Sequence, residues 1–131
     1  MSAEKEYSSK NDNINNILVA EDSKTEQVHL RQLLEASGYT VTVVESGKAA
    51  LESIESVKPD LILMDIIMEG GDGYQACRKL KRGDDTKDIP IIMVSSKSNE
   101  VDRKWALKLG ALDYIVKPYS DTELLQRLSD I

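Results

Sequence analysis

Short apolar runs alternate with longer amphipathic stretches along most of the chain. Five runs of four or five residues are largely apolar, which is typical of parallel strands covered by helices on both faces. These runs are residues 17–20, 40–44, 61–64, 91–94 and 112–116. The stretches between and after them have apolar residues at helical spacing. They predict helices over residues 24–37, 47–56, 74–81, 100–109 and 121–131.

Capping residues mark the ends of several predicted helices. Ser23 with Glu26, and Ser120 with Glu123, have the spacing of capping boxes, which satisfy the free amide groups of a helix N-terminus. Gly38 follows the first helix and predicts its C-terminal stop. The apolar stripe predicted for that helix consists of Val28, Leu30, Leu33 and Leu34.

Five strands that alternate with five helices predict an α/β fold. We expect a doubly wound, flavodoxin-like parallel sheet of strand order 2-1-3-4-5, with right-handed crossovers and helices on both faces. The domain is predicted to span residues 16–131, because residues 1–15 are polar, lack periodicity and predict a flexible N-terminal tail.

The composition of the chain excludes several classes of function. The formal net charge of −6 gives no electrostatic case for a nucleic acid or an anionic membrane as partner. No apolar run approaches the roughly 20 residues of a membrane helix. Cys77 is the only cysteine and His29 the only histidine, which excludes an intramolecular disulfide, a cysteine-cluster metal site and a histidine-based triad. A cytoplasmic location is the simplest expectation.

The predicted topology brings chemically active residues to one edge of the sheet. Ligands of open α/β sheets bind beyond the carboxyl ends of the strands where the strand order reverses, which here is between strands 1 and 3. Glu21 and Asp22 follow the first strand, and Asp65 follows the third. Ser95 and Lys117 end the neighbouring strands. We therefore expect three carboxylates, a hydroxyl and an ammonium group to lie together.

Three adjacent carboxylates need positive charge nearby. Two unit charges ~4 Å apart cost about 4 kcal/mol at an effective dielectric of 20. Lys117 supplies one compensating charge, and Mg²⁺ suits a site of few carboxylates that also meets a phosphate. An aspartate carboxylate is a nucleophile for phosphoryl groups, and Asp65 is the predicted acceptor.

Each of these residues also has an ordinary structural interpretation. Glu21 and Asp22 could cap a helix, although Ser23 already fills that position. Lys117 alone would be a solvated lysine. Tyr114 is either an aromatic residue of the core or a switch residue that changes rotamer. Trp105 either packs against the domain or anchors a partner.

Four segments in this order and spacing resemble the receiver domains of two-component response regulators, and the resemblance covers residues 17–131. The segments are Ile17–Ser23, Leu61–Met68 with Asp72-Gly73, Val94–Ser96, and Gly110–Pro118.

The resemblance implies a role for each site residue. Asp65 would accept a phosphoryl group from a sensor histidine kinase. Asp22, Asp65 and the backbone carbonyl of Ile67 would bind Mg²⁺, with Glu21 acting partly through water. The remaining implied roles are phosphoryl contacts from Lys117 and Ser95, a switch pair of Ser95 and Tyr114, and a cis peptide bond before Pro118.

The resemblance also implies how the signal leaves the domain. Phosphorylation would draw the Ser95 hydroxyl inward, let Tyr114 turn in and change the face formed by helix 4, strand 5 and helix 5. A downstream protein, which the sequence does not identify, would recognise that face. The chain resembles the free-standing receivers of chemotaxis and twitching-motility systems, in part through the segment 96–105, and is expected to be a monomer or a weak phosphorylation-dependent dimer.

Two departures from the family pattern bear on the site. Glu21 stands where aspartate is commoner, and Glu69-Gly70-Gly71 follows Met68 where proline is usual. The glycines predict a flexible loop that affects access to Asp65 or partner choice.

Two other functions remain open at this point. A phosphatase of the haloacid-dehalogenase type would use Asp65 as a turnover nucleophile, but it needs a general acid two residues later, where this chain has Ile67. The same apolar residue predicts slow self-dephosphorylation, over minutes or longer. A constitutive interaction module that has lost phosphorylation is the second alternative, and it rests on the two departures alone.

Overall fold

The structure, a computed structural model, describes residues 10–66 and 73–131. Its strands are β1 (Asn16–Ala20), β2 (Thr40–Val44), β3 (Leu61–Asp65), β4 (Ile91–Ser95) and β5 (Asp113–Val116). Its helices are α1 (Lys24–Ala36), α2 (Gly47–Val57), α3 (Gly73–Arg82), α4 (Glu100–Lys108) and α5 (Asp121–Ser129). Strands and helices alternate as predicted, and the predicted bounds of most elements agree within one residue.

All five strands pair in parallel in one sheet of order β2-β1-β3-β4-β5. This confirms the predicted doubly wound α/β fold. β1 lies between β2 and β3 and pairs Ala20 with Val44 on one side and with Met64 on the other. The carboxyl ends of β1 and β3 are therefore neighbours at the point where the strand order reverses.

The sheet separates two hydrophobic cores, because successive side chains of a strand point to opposite faces. On one face Val19 of β1 packs in a cluster with Leu34 of α1 and Leu124 of α5. On the other face Leu18 belongs to a cluster with Ala50 of α2, Cys77 of α3 and Ala106 of α4. Met64 and Met93 are fully buried on this second face.

The helix ends follow the sequence signals. The hydroxyl groups of Ser23 and Ser120 accept hydrogen bonds from the amides of Glu26 and Glu123, as expected for N-caps. Gly38 adopts a φ of 102° after α1, a conformation that favours glycine. Ser46 and Asn99 cap α2 and α4, which the sequence analysis did not predict.

Two expectations need correction. The predicted tail boundary at residue 15 lies too far along the chain, because residues 10–15 pack on the domain. Ile14 is buried, and the Asn11 side chain donates to the carbonyls of Leu128 and Ile131. Val28 was predicted to belong to the apolar stripe of α1, but it is 55% exposed because it lies on the outer side of the helix.

Several predictions concern residues outside the described part of the chain. They are the metal-binding carbonyl of Ile67, the flexible loop at Glu69-Gly70-Gly71, and the tail over residues 1–9. Within the described residues, no helix has the length and apolar character that crossing a membrane requires.

Candidate functional site

The ends of β1 and β3 bring three carboxylates together. Glu21, Asp22 and Asp65 each place one carboxylate oxygen so that the three atoms lie within 4.8 Å of one another. Glu21 is 3% exposed and Asp65 is 8% exposed, whereas Asp22 is open to solvent. The structure therefore groups the three acidic residues that the sequence predicted at this edge.

Lys117 reaches this cluster from the end of β5. Its Nζ atom lies 3.0 Å from Oε1 of Glu21 and 3.3 Å from Oδ2 of Asp65. A third carboxylate, Oε1 of Glu26 in α1, lies 2.6 Å from the same atom. The predicted ammonium group is thus in place, and an additional acidic residue holds it.

Glu26 was not predicted as a site residue, because its spacing from Ser23 indicates a capping box. A signal was available: Glu26 lies in the first turn of the helix that follows the acidic pair, Glu21 and Asp22, and this turn starts at the functional edge of the sheet. Side chains of such a turn can reach across to β5.

Burial makes Glu21 difficult to ionise. It raises the pKa of Glu21 to about 7, and the nearby charge of Asp65 adds to the effect, while hydrogen bonds from the Ser23 amide and from Lys117 oppose it. Burial therefore outweighs these hydrogen bonds and disfavours the ionised form of Glu21.

The surroundings of Lys117 keep it protonated. Burial alone would lower the pKa of its ammonium group, but hydrogen bonds to Glu26 and Glu21 and the charge of Asp65 outweigh burial and raise that pKa. Beside it, burial raises the pKa of Tyr119 to about 12, so that phenol is neutral. Lys117 therefore presents a fixed positive charge to the site.

The acidic cluster has the donor set of a hard divalent cation. Mg²⁺ takes oxygen ligands, and one or two carboxylates commonly hold it beside a phosphate group. Asp22 and Asp65 would hold the ion directly, and Glu21 would contribute from the buried side.

Ser95 and Tyr114 converge on one residue of the loop between β4 and α4. The buried Ser95 hydroxyl accepts a hydrogen bond of 3.1 Å from the Lys97 amide. The Tyr114 hydroxyl donates to the Lys97 carbonyl at 2.7 Å. The predicted switch pair therefore shares a contact with this loop.

Tyr114 already lies inside the domain in this structure. It is 1% exposed and belongs to the same core cluster as Met93 and Ala106. The predicted mechanism had Tyr114 turning inward only after phosphorylation. The inward position is stable here because the ring packs in the core and the Lys97 carbonyl satisfies the hydroxyl.

Gly73 and the bond before Pro118 complete the surroundings of Asp65 and Lys117. A Cβ atom on Gly73 would clash with the backbone carbonyl of Asp65 and lie 2.8 Å from Cα of Ile66. The Lys117–Pro118 bond is cis, in agreement with the expectation. Next to Lys117 a cleft of about 520 Å³ opens between α1 and the loop after β5.

Comparison with known proteins identifies the family. Residues 17–129 match the response regulator receiver domain. The match covers most of the chain, and the chain belongs to this family.

Two relatives show how the chain relates to longer regulators. Protein PilH of Pseudomonas aeruginosa is 38% identical over 115 residues, which cover 88% of this chain and 95% of PilH. The transcriptional regulatory protein BaeR of Escherichia coli is 39% identical, over 92% of this chain but 49% of BaeR. The chain thus spans nearly all of the first relative and about half of the second.

Solved structures agree with the family and the fold. The receiver domain of the sensor histidine kinase PA1611 from P. aeruginosa, which holds a magnesium ion in its active-site cleft, is 34% identical with a TM-score of 0.81, and the match covers 88% of this chain and 95% of that one. Chemotaxis protein CheY4 of Vibrio cholerae shares the fold, with a TM-score of 0.85 at 23% identity over 90% of this chain and 98% of that one.

Membership of this family defines the general activity. Receiver domains of response regulators are signalling domains that kinases phosphorylate on an aspartate with Mg²⁺, and that act on downstream partners. The acidic cluster of this chain is consistent with that activity.

Proposed function

We propose that Asp65 is the phosphoacceptor of this receiver domain and that it takes its phosphoryl group from a sensor histidine kinase. One observation carries the proposal: the Asp65 carboxylate lies in a cluster with Glu21 and Asp22, and its Oδ2 atom is 3.3 Å from the Lys117 ammonium. That arrangement suits a nucleophile whose product gains negative charge. A cleft lined by Glu26 and Lys117 lies beside this arrangement.

In the proposed reaction, a carboxylate oxygen of Asp65 attacks the phosphorus atom of a phosphohistidine. The phosphorus–nitrogen bond breaks, its electron pair returns to the imidazole, and an aspartyl phosphate forms. Lys117 stabilises the charge on the phosphoryl oxygens. Mg²⁺, held by Asp22 and Asp65 with Glu21 nearby, supplies further neutralisation when it is bound.

The signal would leave through the loop between β4 and α4. The Ser95 hydroxyl turns toward the new phosphoryl oxygens and gives up its bond with the Lys97 amide. Because Tyr114 holds the carbonyl of the same residue, the loop and the start of α4 move together. The face of α4, β5 and α5 then changes shape, and a protein partner that prefers this form shifts the population further.

A small acyl phosphate with Mg²⁺ tests the assignment of Asp65. We expect mass spectrometry to show one added phosphoryl group, which Asp65→Asn abolishes. Asp84→Asn, a change at an exposed loop carboxylate, serves as the matched control and should leave labelling intact. Labelling that persists in Asp65→Asn would refute the assignment, and an unlabelled wild type would support a constitutive interaction module instead.

The lifetime of the phosphoryl group separates a signalling domain from a phosphatase. Ile67, outside the described residues, has no group that orients a water molecule, so we expect the aspartyl phosphate to persist for minutes or longer. Decay within seconds, or sustained turnover of a simple phosphomonoester, would favour a phosphatase.

The similarity to PilH supports a motility-type regulator, and we infer that it works in the cytoplasm. PilH matches over nearly its whole length. A pull-down from a cell extract tests this subtype. The immobilised protein is used in two forms, with and without the phosphoryl group. Recovery of chemotaxis or pilus proteins by the phosphorylated form supports it, and recovery of neither contradicts it. Light scattering of the two forms distinguishes a monomer from a phosphorylation-dependent dimer.

A further inference from the structure

A basic groove lies between α3 and α4, away from the acidic cluster. It has a volume of about 450 Å³. Its lining residues are Arg78, Lys81, Arg82, Trp105, Lys108 and Leu109. Four of these six described residues are basic and none is acidic, so the groove concentrates positive charge beside one aromatic ring.

Three of the four cations are available to a ligand. Lys81 is used by the fold, because its Nζ donates to the carbonyls of Lys87 and Ile89, and Asp88 adds a nearby negative charge. By contrast, the groove residues Arg78, Arg82 and Lys108 are exposed and form no ion pair with any described carboxylate.

This charge contrasts with that of the chain as a whole. Together α3 and α4 contain seven of the 17 basic residues and two of the 23 acidic residues. The rest of the chain therefore has 10 basic residues against 21 acidic ones. A surface of opposite sign to its surroundings attracts a compact acidic ligand and holds it in one place.

Trp105 supplies an apolar contact within the groove. It is the only tryptophan of the chain and remains 40% exposed. Val101, one helical turn earlier on α4, is 75% exposed. Tryptophan beside arginine is a common combination at protein interfaces, where the ring is buried and the guanidinium groups pair with carboxylates.

The two walls of the groove are fixed to each other before any ligand binds. The Tyr74 hydroxyl of α3 lies 3.2 Å from Oδ1 of Asp102 in α4. Lys81 packs against Gly110, which follows α4 and adopts a φ of 112°. A rigid groove loses little conformational entropy when it binds a ligand.

We propose that this groove binds an acidic peptide segment of a protein partner. Carboxylates of the segment pair with Arg78, Arg82 and Lys108, and an apolar side chain of the segment packs on Trp105. A nucleic acid fits less well, because a long polyanion would continue from the groove onto the acidic remainder of the domain. The site is separate from Asp65 and is already formed in the unmodified chain.

Trp105 reports directly on the proposed binding in the unmodified chain. The probe is a peptide of about 12 glutamate, aspartate and leucine residues without aromatic groups. We expect saturable quenching or a blue shift of the Trp105 emission, and an apparent Kd that rises at least tenfold between roughly 20 and 300 mM salt. The same peptide with lysine at each acidic position should have no effect.

Charge reversal locates the binding site. Arg78→Glu with Arg82→Glu should weaken peptide binding at least tenfold, whereas Lys48→Glu on α2, an exposed cation outside the groove, should leave it within twofold. Circular dichroism verifies that each variant is folded. The proposal is overturned if the acidic peptide leaves the Trp105 emission unchanged, if the double variant binds as well as the wild type, or if a single-stranded oligonucleotide of similar length binds more tightly than the peptide.

Discussion

Three carboxylates share the ammonium group of Lys117, and Glu26 makes the shortest of the three contacts. Glu26→Gln removes a negative charge from the approach of an anionic phosphodonor, while Glu21 and Asp65 still hold Lys117. Since Glu26 is partly exposed, its repulsion of the anionic donor lies at the lower end of the range for two unit charges, about 1 kcal/mol. We expect phosphorylation by a small acyl phosphate to proceed about fivefold faster.

Glu52→Gln provides the control for this prediction, because it removes an exposed carboxylate from α2, which packs on the opposite face of the sheet from α1. Rates are compared from the initial slope of phosphoprotein formation at equal Mg²⁺. A slower reaction in Glu26→Gln would show that Glu26 positions the ammonium group rather than repels the donor.

The raised pKa of Glu21 makes the stability of the Mg²⁺-free domain depend on pH. The folded chain retains a proton on Glu21 up to about pH 7, whereas the unfolded chain releases it near 4.5. The folded state therefore binds more protons in this window, and the free energy of unfolding contributed by this group falls as pH rises from 4.5 through 7.

Glu21→Gln should remove this dependence. The measured quantity is the free energy of unfolding in urea, with a chelator present. The value for the variant minus the value for the wild type is expected to be larger at pH 8 than at pH 5. A stability difference that is equal at the two pH values would show that Glu21 is ionised without cost.

At the residue scale, the sequence predicted the site residues that end strands. Glu21, Asp65 and Ser95 follow buried apolar runs, and a parallel sheet places such positions on one edge whatever the details of packing. Glu26 could not be predicted in the same way. Whether a helical side chain reaches Lys117 depends on the rotation and tilt of α1 on the sheet, which the periodicity of the helix does not determine.

The junction between β3 and α3 depends on a close backbone approach at Gly73. An added methyl group in Gly73→Ala would push the start of α3 away from Asp65 and Ile66. We expect a loss of about 1–3 kcal/mol in the free energy of unfolding. Phosphorylation should slow at the same time, because the carboxylate of Asp65 loses its position.

Gly83→Ala is the matched control for this junction, since its added Cβ would meet the Thr86 side chain and not the site. It should destabilise the fold without slowing phosphorylation once both proteins are folded. If Gly73→Ala kept the wild-type rate, the proposed link between this junction and Asp65 would be wrong.

The loop between β4 and α4 is held by the hydroxyl of Tyr114. Tyr114→Phe keeps the buried ring and removes the bond to the Lys97 carbonyl. We expect a loss of about 1 kcal/mol in stability and faster amide hydrogen exchange over residues 96–99. Unchanged exchange in that loop would argue against a role for Tyr114 in holding it.

The order and length of the elements were predictable because each strand contains a largely apolar run bounded by polar residues. What escaped prediction was packing outside the regular elements. Residues 10–15 contain one apolar residue, Ile14, and no periodicity, so their attachment depends on hydrogen bonds of Asn11 to the distant end of α5. The inward position of Tyr114 likewise depends on a tertiary contact with Lys97.

For the molecule as a whole, the acidic cluster predicts that Mg²⁺ stabilises the fold. At a free Mg²⁺ concentration tenfold above its Kd, linkage gives about 1.4 kcal/mol, or a rise of roughly 4–6 °C in Tm. Asp22→Asn should abolish the rise, and Na⁺ at equal ionic strength should not produce it. An equal rise in Asp22→Asn would place the cation elsewhere.

The contact between Asn11 and α5 has a consequence for synthesis of the chain. Asn11 and Leu128 lie 117 positions apart, so the ribosome makes nearly the entire domain before the bond can form. The same delay applies to the apolar side chains of β1 on the sheet face that packs against α5, such as Ile17 and Val19. Leu124 and Leu128 can cover them only after α5 has been synthesised. A nascent chain stalled before α5 should therefore expose the part of this sheet face that α1 leaves uncovered, and it should engage chaperones until α5 emerges.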